Sequence, residues 1–183
     1  MDNATACPAV RGSVRLVHPP GPPARARLRV AAPPAWRGAV CAALDVAGVA
    51  TDPDAALGLA VAPARTVLPE VDDWVVASAP HVLVAVWPYG VEVGPWVLPG
   101  AGPCARCVAA ATLDDTGLGL PRDEARTLDP PLLALAAGWV ALDVLRWLRS
   151  ETPATWSASW LLGPEPLAEE RRWRRHPYCG CAW

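Results

Sequence analysis

The chain has 183 residues, 52% of them hydrophobic, with 16 basic against 18 acidic side chains and a formal charge of −2 at pH 7; this suits one packed domain, with or without a tail, and argues against general nucleic-acid binding. Lysine, phenylalanine and isoleucine are absent, so no mechanism that needs a catalytic lysine can run from this chain. No N-terminal apolar run has signal-peptide length, and Pro, Asp or Arg breaks the other apolar stretches short of the ~18–20 residues of a membrane span, so the expectation is a soluble cytoplasmic protein with no membrane partner.

Residues 1–23 carry Pro8, Pro19, Pro20, Pro22 and Pro23 without any sustained period and read as an arm, with a short strand at Ser13–His18 and His18 at the surface. Residues 24–183 read as a single domain. Arg25–Ala32 alternates like a strand with one basic face. Trp36–Val49 repeats Val40, Ala43, Leu44 and Ala47 at helical spacing, and Leu57–Ala62 is a second strand. Strand, helix, strand is a βαβ unit, whose crossover is nearly always right-handed. A nucleotide-binding unit would place a glycine-rich turn between the first strand and the helix. Here that turn is Ala31-Ala-Pro-Pro-Ala-Trp-Arg-Gly38: two prolines remove N–H donors and Trp36 adds bulk, leaving Arg37 and Gly38 as a weak candidate anion site.

Trp74–Ser78 and His81–Trp87 read as core strands, and Val91–Leu98 as a further strand paired with the second across a Pro88–Gly90 turn. His81 is expected to be structural and Glu92 to face solvent. Val108–Leu113 begins a helix, and Asp114–Arg126 is a polar loop. A long helix starts at the Asp129 N-cap with Pro130 in its first turn and runs through Leu148. It is apolar around most of its circumference, with only Asp143, Arg146 and Arg149 polar, so it belongs in a core or at a subunit interface. Ala154–Leu162 alternates as a strand, and Glu165–Arg175, with charges around Trp173, reads as a solvated or partner-facing segment.

Two close cysteine pairs, Cys104-Ala-Arg-Cys107 and Cys179-Gly-Cys181, stand far apart, each beside a turn marked by Gly or Pro. A C-x2-C turn brings two thiolates to one ion, and Gly180 permits the sharper C-x-C bend. The competing readings are a disulfide cluster and a redox dithiol. A C-x-C disulfide closes a very short ring, a redox C-x-x-C needs no distant second pair, and a reducing cytoplasm keeps thiols free. The expected ligands are therefore Cys104, Cys107, Cys179 and Cys181 around a structural Zn2+, with no open position for substrate. His176 could replace one thiolate, while Cys7 and Cys41 have no partner spacing.

Gly94-Pro-Trp-Val-Leu-Pro-Gly-Ala-Gly-Pro-Cys-Ala-Arg-Cys107 and the closing His176-Pro-Tyr-Cys-Gly-Cys181 resemble the E1-like, ThiF-related proteins. The similarity is closer to the cyclodehydratase partner proteins of bacteriocin-type, azole-containing peptide biosynthesis. It covers residues 74–181 in motif and the earlier part only in topology. The resemblance implies an α/β fold: a degenerate ThiF/E1-like, Rossmann-type sheet with flanking helices, stapled by a four-cysteine zinc site. It also implies a role beside a YcaO-type ATP-dependent cyclodehydratase or its precursor peptide, with the partner activating the amide. Active E1 enzymes use a glycine-rich loop and basic groups including lysine; this chain has a proline-filled loop and no lysine. Relatives that bind a leader peptide often carry an N-terminal winged-helix domain of ~80 residues, more than the arm supplies. The expectation is thus a non-catalytic scaffold with no catalytic or nucleotide-binding residues. The alternatives are a degenerate adenylating or sulfur-transfer enzyme using Cys104 or Cys107, and a zinc-stapled homodimerisation module.

Overall fold

A computed structural model describes residues 26–116, 128–163, 165 and 168–181. The arm at 1–23, with Cys7, His18 and the strand expected at Ser13–His18, lies outside them, as does most of the loop Asp114–Arg126. Seven strands form one sheet in the order β2-β1-β3-β4-β5-β6-β7: β1 Arg27–Ala31, β2 Ala50–Thr51, β3 Gly58–Pro63, β4 His81–Trp87, β5 Gly90–Val97, β6 Ala158–Leu162 and β7 Ala168–Arg172. The first four are mutually parallel, and β5, β6 and β7 are added antiparallel. The helices are α1 Pro34–Val46, α2 Pro69–Val76, α3 Ala105–Thr116 and α4 Pro130–Leu148.

The pleat sorts side chains by size. Leu28, Leu59, Val61, Val82, Val84 and Val93 join Val40 and Leu44 of α1 and Val140 and Val144 of α4 in the main core. Ala31 and Ala60 turn to the other face, where they meet Val71 and Trp74 of α2 and Ala105 of α3. The expected βαβ unit holds with one addition: α1 leads first to the two-residue edge strand β2, and the chain then returns to β3 on the far side of β1. That reversal puts a crevice at the carboxyl ends of β1 and β3.

Four expectations are corrected. Trp74–Ser78 is not a strand: residues 69–76 form α2, opened by Pro69 with Glu70 and Asp72 in the first turn. Val71 and Trp74, one helical turn apart, are its buried residues, and Val76 is 86% exposed; the three-residue spacing outweighs the β-branched content. Glu92 does not face solvent but is 5% exposed, because β5 lies inside the sheet with both faces covered. The strand expected over Ala154–Leu162 begins only at Ala158, and its polar side is interior: Thr155 and Ser159 are fully buried. Lastly, α4 is long and apolar enough to pass for a membrane span by length and composition, contrary to the expectation that every apolar stretch is too short. It packs on the sheet instead: Trp147 meets Trp96 and Trp139 stacks on Trp160, at 5.4 and 5.5 Å between ring centres. Residues 168–172, within the segment expected to be solvated, form the exposed edge strand β7, while Trp173 is buried.

Candidate metal centre

Strand β5 delivers the chain to a turn at Gly100, where φ is +82° and Ala101 N–H donates to Leu98 O at 2.9 Å. Pro103 and Cys104 follow, both buried, and the carbonyl of Cys104 accepts the N–H of Val108 as α3 begins. Cys107, one turn into α3, is fully buried. The second pair arrives from β7. Trp173 anchors that tail, donating through Nε1 to Ser159 Oγ at 2.7 Å. Arg175 then clamps the first turn, donating through Nη2 to Gly100 O and through Nε to Gly102 O. Cys179 N–H donates to His176 O at 3.1 Å and Cys181 N–H to Cys179 O, folding the C-x-C turn back on itself.

The four sulfurs lie within 4.8 Å of one another. Cys104 Sγ is 3.7 Å from Cys107 Sγ and 3.4 Å from Cys179 Sγ, and Cys107 Sγ is 3.3 Å from Cys181 Sγ. All four are free thiols. Tetrahedral sulfur ligands at ~2.3 Å from an ion stand about 3.8 Å apart, so the cluster needs only small shifts of its sulfurs to hold a metal.

The electrostatics favour a cation. Burial raises the Cys107 pKa, but the backbone N–H groups of His176 and Cys104 and the thiols of Cys181 and Cys179 outweigh it and bring it down to about 7. Burial and hydrogen bonds to Cys107 and Cys104 push Cys181 up to about 11, and burial with bonds to Cys104 and Cys107 pushes Cys179 up further. Cys107 ionises readily while buried Cys179 and Cys181 resist, and a bound metal cation would offset that resistance. Arg106 adds positive charge beside Cys104 and Cys179, held by a two-pronged ion pair to Asp72 of α2 at 2.9 and 2.7 Å. His176 is not drawn into the cluster. Its Nδ1 accepts from Tyr178 N–H at 3.3 Å, which leaves Nε2–H to donate to Asp114 at 2.9 Å.

Cys41 lies elsewhere, in a cleft of about 410 Å3 at the edge of β1, with Arg29, Arg37, Asp52, Glu70 and Trp74. Arg37 therefore shares its surroundings with two carboxylates, and Asp52 already pairs with Arg27 at 2.8 Å. The start of α1 offers little to an anion. Pro33 and Pro34 lack N–H groups, and the amides of Trp36 and Arg37 both bond to Pro33 O, at 2.9 and 3.1 Å. Sequence reasoning missed the clamp by Arg175 and the Arg106–Asp72 pair, since neither follows from spacing.

No family model matches the chain, and none of the curated proteins matches it. Solved structures do. The heterocyclase TruD is 19% identical with a TM-score of 0.61, over 86% of this chain and 27% of that one. A heterocyclase in complex with substrate and cofactor is 17% identical with a TM-score of 0.63, over 86% and 25%. E. coli MccB is 16% identical with a TM-score of 0.51, over 73% and 44%. The chain thus spans about a quarter of the heterocyclases and under half of MccB. It has the α/β fold of the matched parts of these proteins, and it carries at one corner four cysteines that can hold a metal ion.

Proposed function

We propose that the chain is a non-catalytic E1-like partner in the biosynthesis of azole-modified ribosomal peptides, assisting a YcaO-type cyclodehydratase by docking the enzyme or its precursor peptide in the cytoplasm. One observation carries the non-catalytic part: at the crevice where this fold would hold a nucleotide, the first amides of α1 are spent on Pro33 O and two prolines replace donors. The heterocyclase neighbours support the pathway. The cluster of Cys104, Cys107, Cys179 and Cys181 would hold a structural Zn2+, the ion that four thiolates in a closed tetrahedral set favour.

The test is retention of a YcaO-type cyclodehydratase on the immobilised protein, together with titration of ATP-Mg2+. Retention without nucleotide binding supports the reading. Micromolar ATP binding overturns it in favour of a degenerate adenylating enzyme, and failure to retain the cyclodehydratase overturns the pathway. A second reading, a metal-stapled homodimer, is favoured by α4, where Leu135 is 59% and Leu142 62% exposed. Light scattering separates the two: a dimer that Leu135→Glu with Leu142→Glu converts to a monomer supports it.

A further inference from the structure

The two cysteine pairs differ in exposure. Cys104 and Cys107, at the start of α3, are 8% and 0% exposed, whereas Cys179 and Cys181 are half-buried on a tail whose Pro177, Tyr178 and Gly180 are exposed. A small solute therefore meets the tail sulfurs first, and behind each stands a buried one. Cys104 Sγ lies closer to Cys179 Sγ, at 3.4 Å, than to Cys107 Sγ, at 3.7 Å, and Cys107 Sγ lies 3.3 Å from Cys181 Sγ. An ion could be held as well by four buried sulfurs; an accessible sulfur with a second one poised beside it is the arrangement of thiol oxidation sensors.

Four cysteines allow three pairings. Joining each pair within itself requires a Cys179–Cys181 bond across a single residue, which closes a very short ring. Joining Cys104 to Cys181 and Cys107 to Cys179 parts the two close contacts. Joining Cys104 to Cys179 and Cys107 to Cys181 only shortens them, by about 1.3 Å each, to the ~2.05 Å of a disulfide. The tail can supply that motion: beyond Trp173 both Arg174 and Arg175 are exposed, and Arg175 is bonded to the carbonyl oxygens of Gly100 and Gly102.

We propose that the cluster is a hydroperoxide-sensitive clamp, in which oxidation replaces a bound metal by two disulfides, Cys104–Cys179 and Cys107–Cys181, and keeps the tail fastened to α3. The inference rests on the proposed metal site for what is displaced, and on the sulfur positions alone for which bonds form. A tail thiolate attacks the O–O bond of hydrogen peroxide, giving a sulfenic acid and releasing hydroxide. The facing α3 thiolate attacks that sulfur, forming the S–S bond and releasing a second hydroxide. Each disulfide passes two electrons to one peroxide, so two peroxides and four protons become four waters as the ion leaves.

The test treats the full-length, metal-loaded protein with hydrogen peroxide, maps its peptides by tandem mass spectrometry without reduction, and reads released metal with a chromophoric chelator. The expected result is the two cross-links, metal release in step with them, and reversal by dithiothreitol with renewed metal uptake. Cys41, which stands apart in its own cleft, should stay a free thiol. In Cys181→Ser the Cys104–Cys179 link should still form and Cys107 stay free; should that variant fail to fold, fragmentation of the wild-type tail peptide at Gly180 assigns the same pairing. Trypsin should cut after Arg174 and Arg175 at least about tenfold more slowly in the oxidised metal-free protein than in the reduced metal-free protein. Disulfides within a pair, the opposite pairing, sulfinic or sulfonic acids in place of disulfides, or metal retained in a large excess of peroxide overturns the proposal. A protein that holds no metal yet forms both cross-links overturns the metal site but not the clamp, and metal bound without cross-linking does the reverse.

Discussion

Two buried ionisable residues show how single side chains hold this fold. Asp143, 1% exposed on α4, accepts from Ala154 N–H at 2.7 Å, Thr155 N–H at 3.0 Å and Thr155 Oγ at 2.6 Å, and so fixes the loop that leads to β6. Asp143→Ala strands three donors and should cost about 3 kcal/mol in denaturant unfolding, with Asp143→Asn costing less; a loss below about 1 kcal/mol would contradict that role. His81 is fully buried, and its Nδ1–H donates to Ala79 O at 2.9 Å. Burial, only partly offset by that bond and aided by nearby Arg29, holds its pKa below the usual histidine value of 6.5. The native protein therefore resists a proton that the unfolded chain accepts. Stability from this site is present above pH 6.5 and is lost as the pH falls below it, by up to about 1.4 kcal/mol per pH unit. His81→Asn, which can keep the bond to Ala79 O, should flatten unfolding free energy between pH 7 and 5.5. Sequence alone pointed to His81 as structural, but it misjudged Glu92, because alternation shows two faces of a strand and not whether something covers the second one.

At the scale of elements, the strands and long helices were legible because their periods are clean: β1, α1, β3, β4, β5 and α4 all lie where spacing placed them. The failures are short elements whose identity depends on neighbours. Residues 74–76 read as a strand until the Pro69 start and the burial of Val71 and Trp74 are taken together, and β2 exists only through its pairing with Arg27 and Leu28. Glycines divide in the same way. Gly94 in β5 has φ +102°, and a Cβ there would collide with Ala158 O and stand 2.9 Å from Thr155 Cβ. Gly138 lies inside α4 with nothing within 4 Å. Gly94→Ala should therefore destabilise by about 2–3 kcal/mol, whereas Gly138→Ala should stabilise by up to about 1 kcal/mol through helix propensity. Thermal unfolding of both variants checks the pair, and the same sign for both would contradict the placement.

At the scale of the whole molecule, the cysteine cluster joins two parts of the chain that the sheet does not pair. One is the start of α3, after β5; the other is the tail after β7, a strand with a neighbour on only one side. The spacing of the cysteines made the cluster legible, while the contacts that aim it, Arg175 on Gly100 and Gly102 and Trp173 on Ser159, required the fold. Those contacts also set the order in which the corner opens. Trp173 is buried on the sheet and bonded to Ser159, whereas beyond it Arg175 is exposed and its bonds are to surface carbonyls. Removing the metal from the loaded protein with a chelator should release residues 174–181 first, leaving the main core of β1, β3, β4, β5, α1 and α4 folded. Trypsin should then cut after Arg174 and Arg175 at least about tenfold faster than in the loaded protein, while unfolding of the tryptophan-rich core shifts by a smaller amount. A tail that stays resistant after chelation would show that Arg175 and Trp173 suffice to hold it. Simultaneous loss of tail and core would show instead that the metal stabilises the entire sheet.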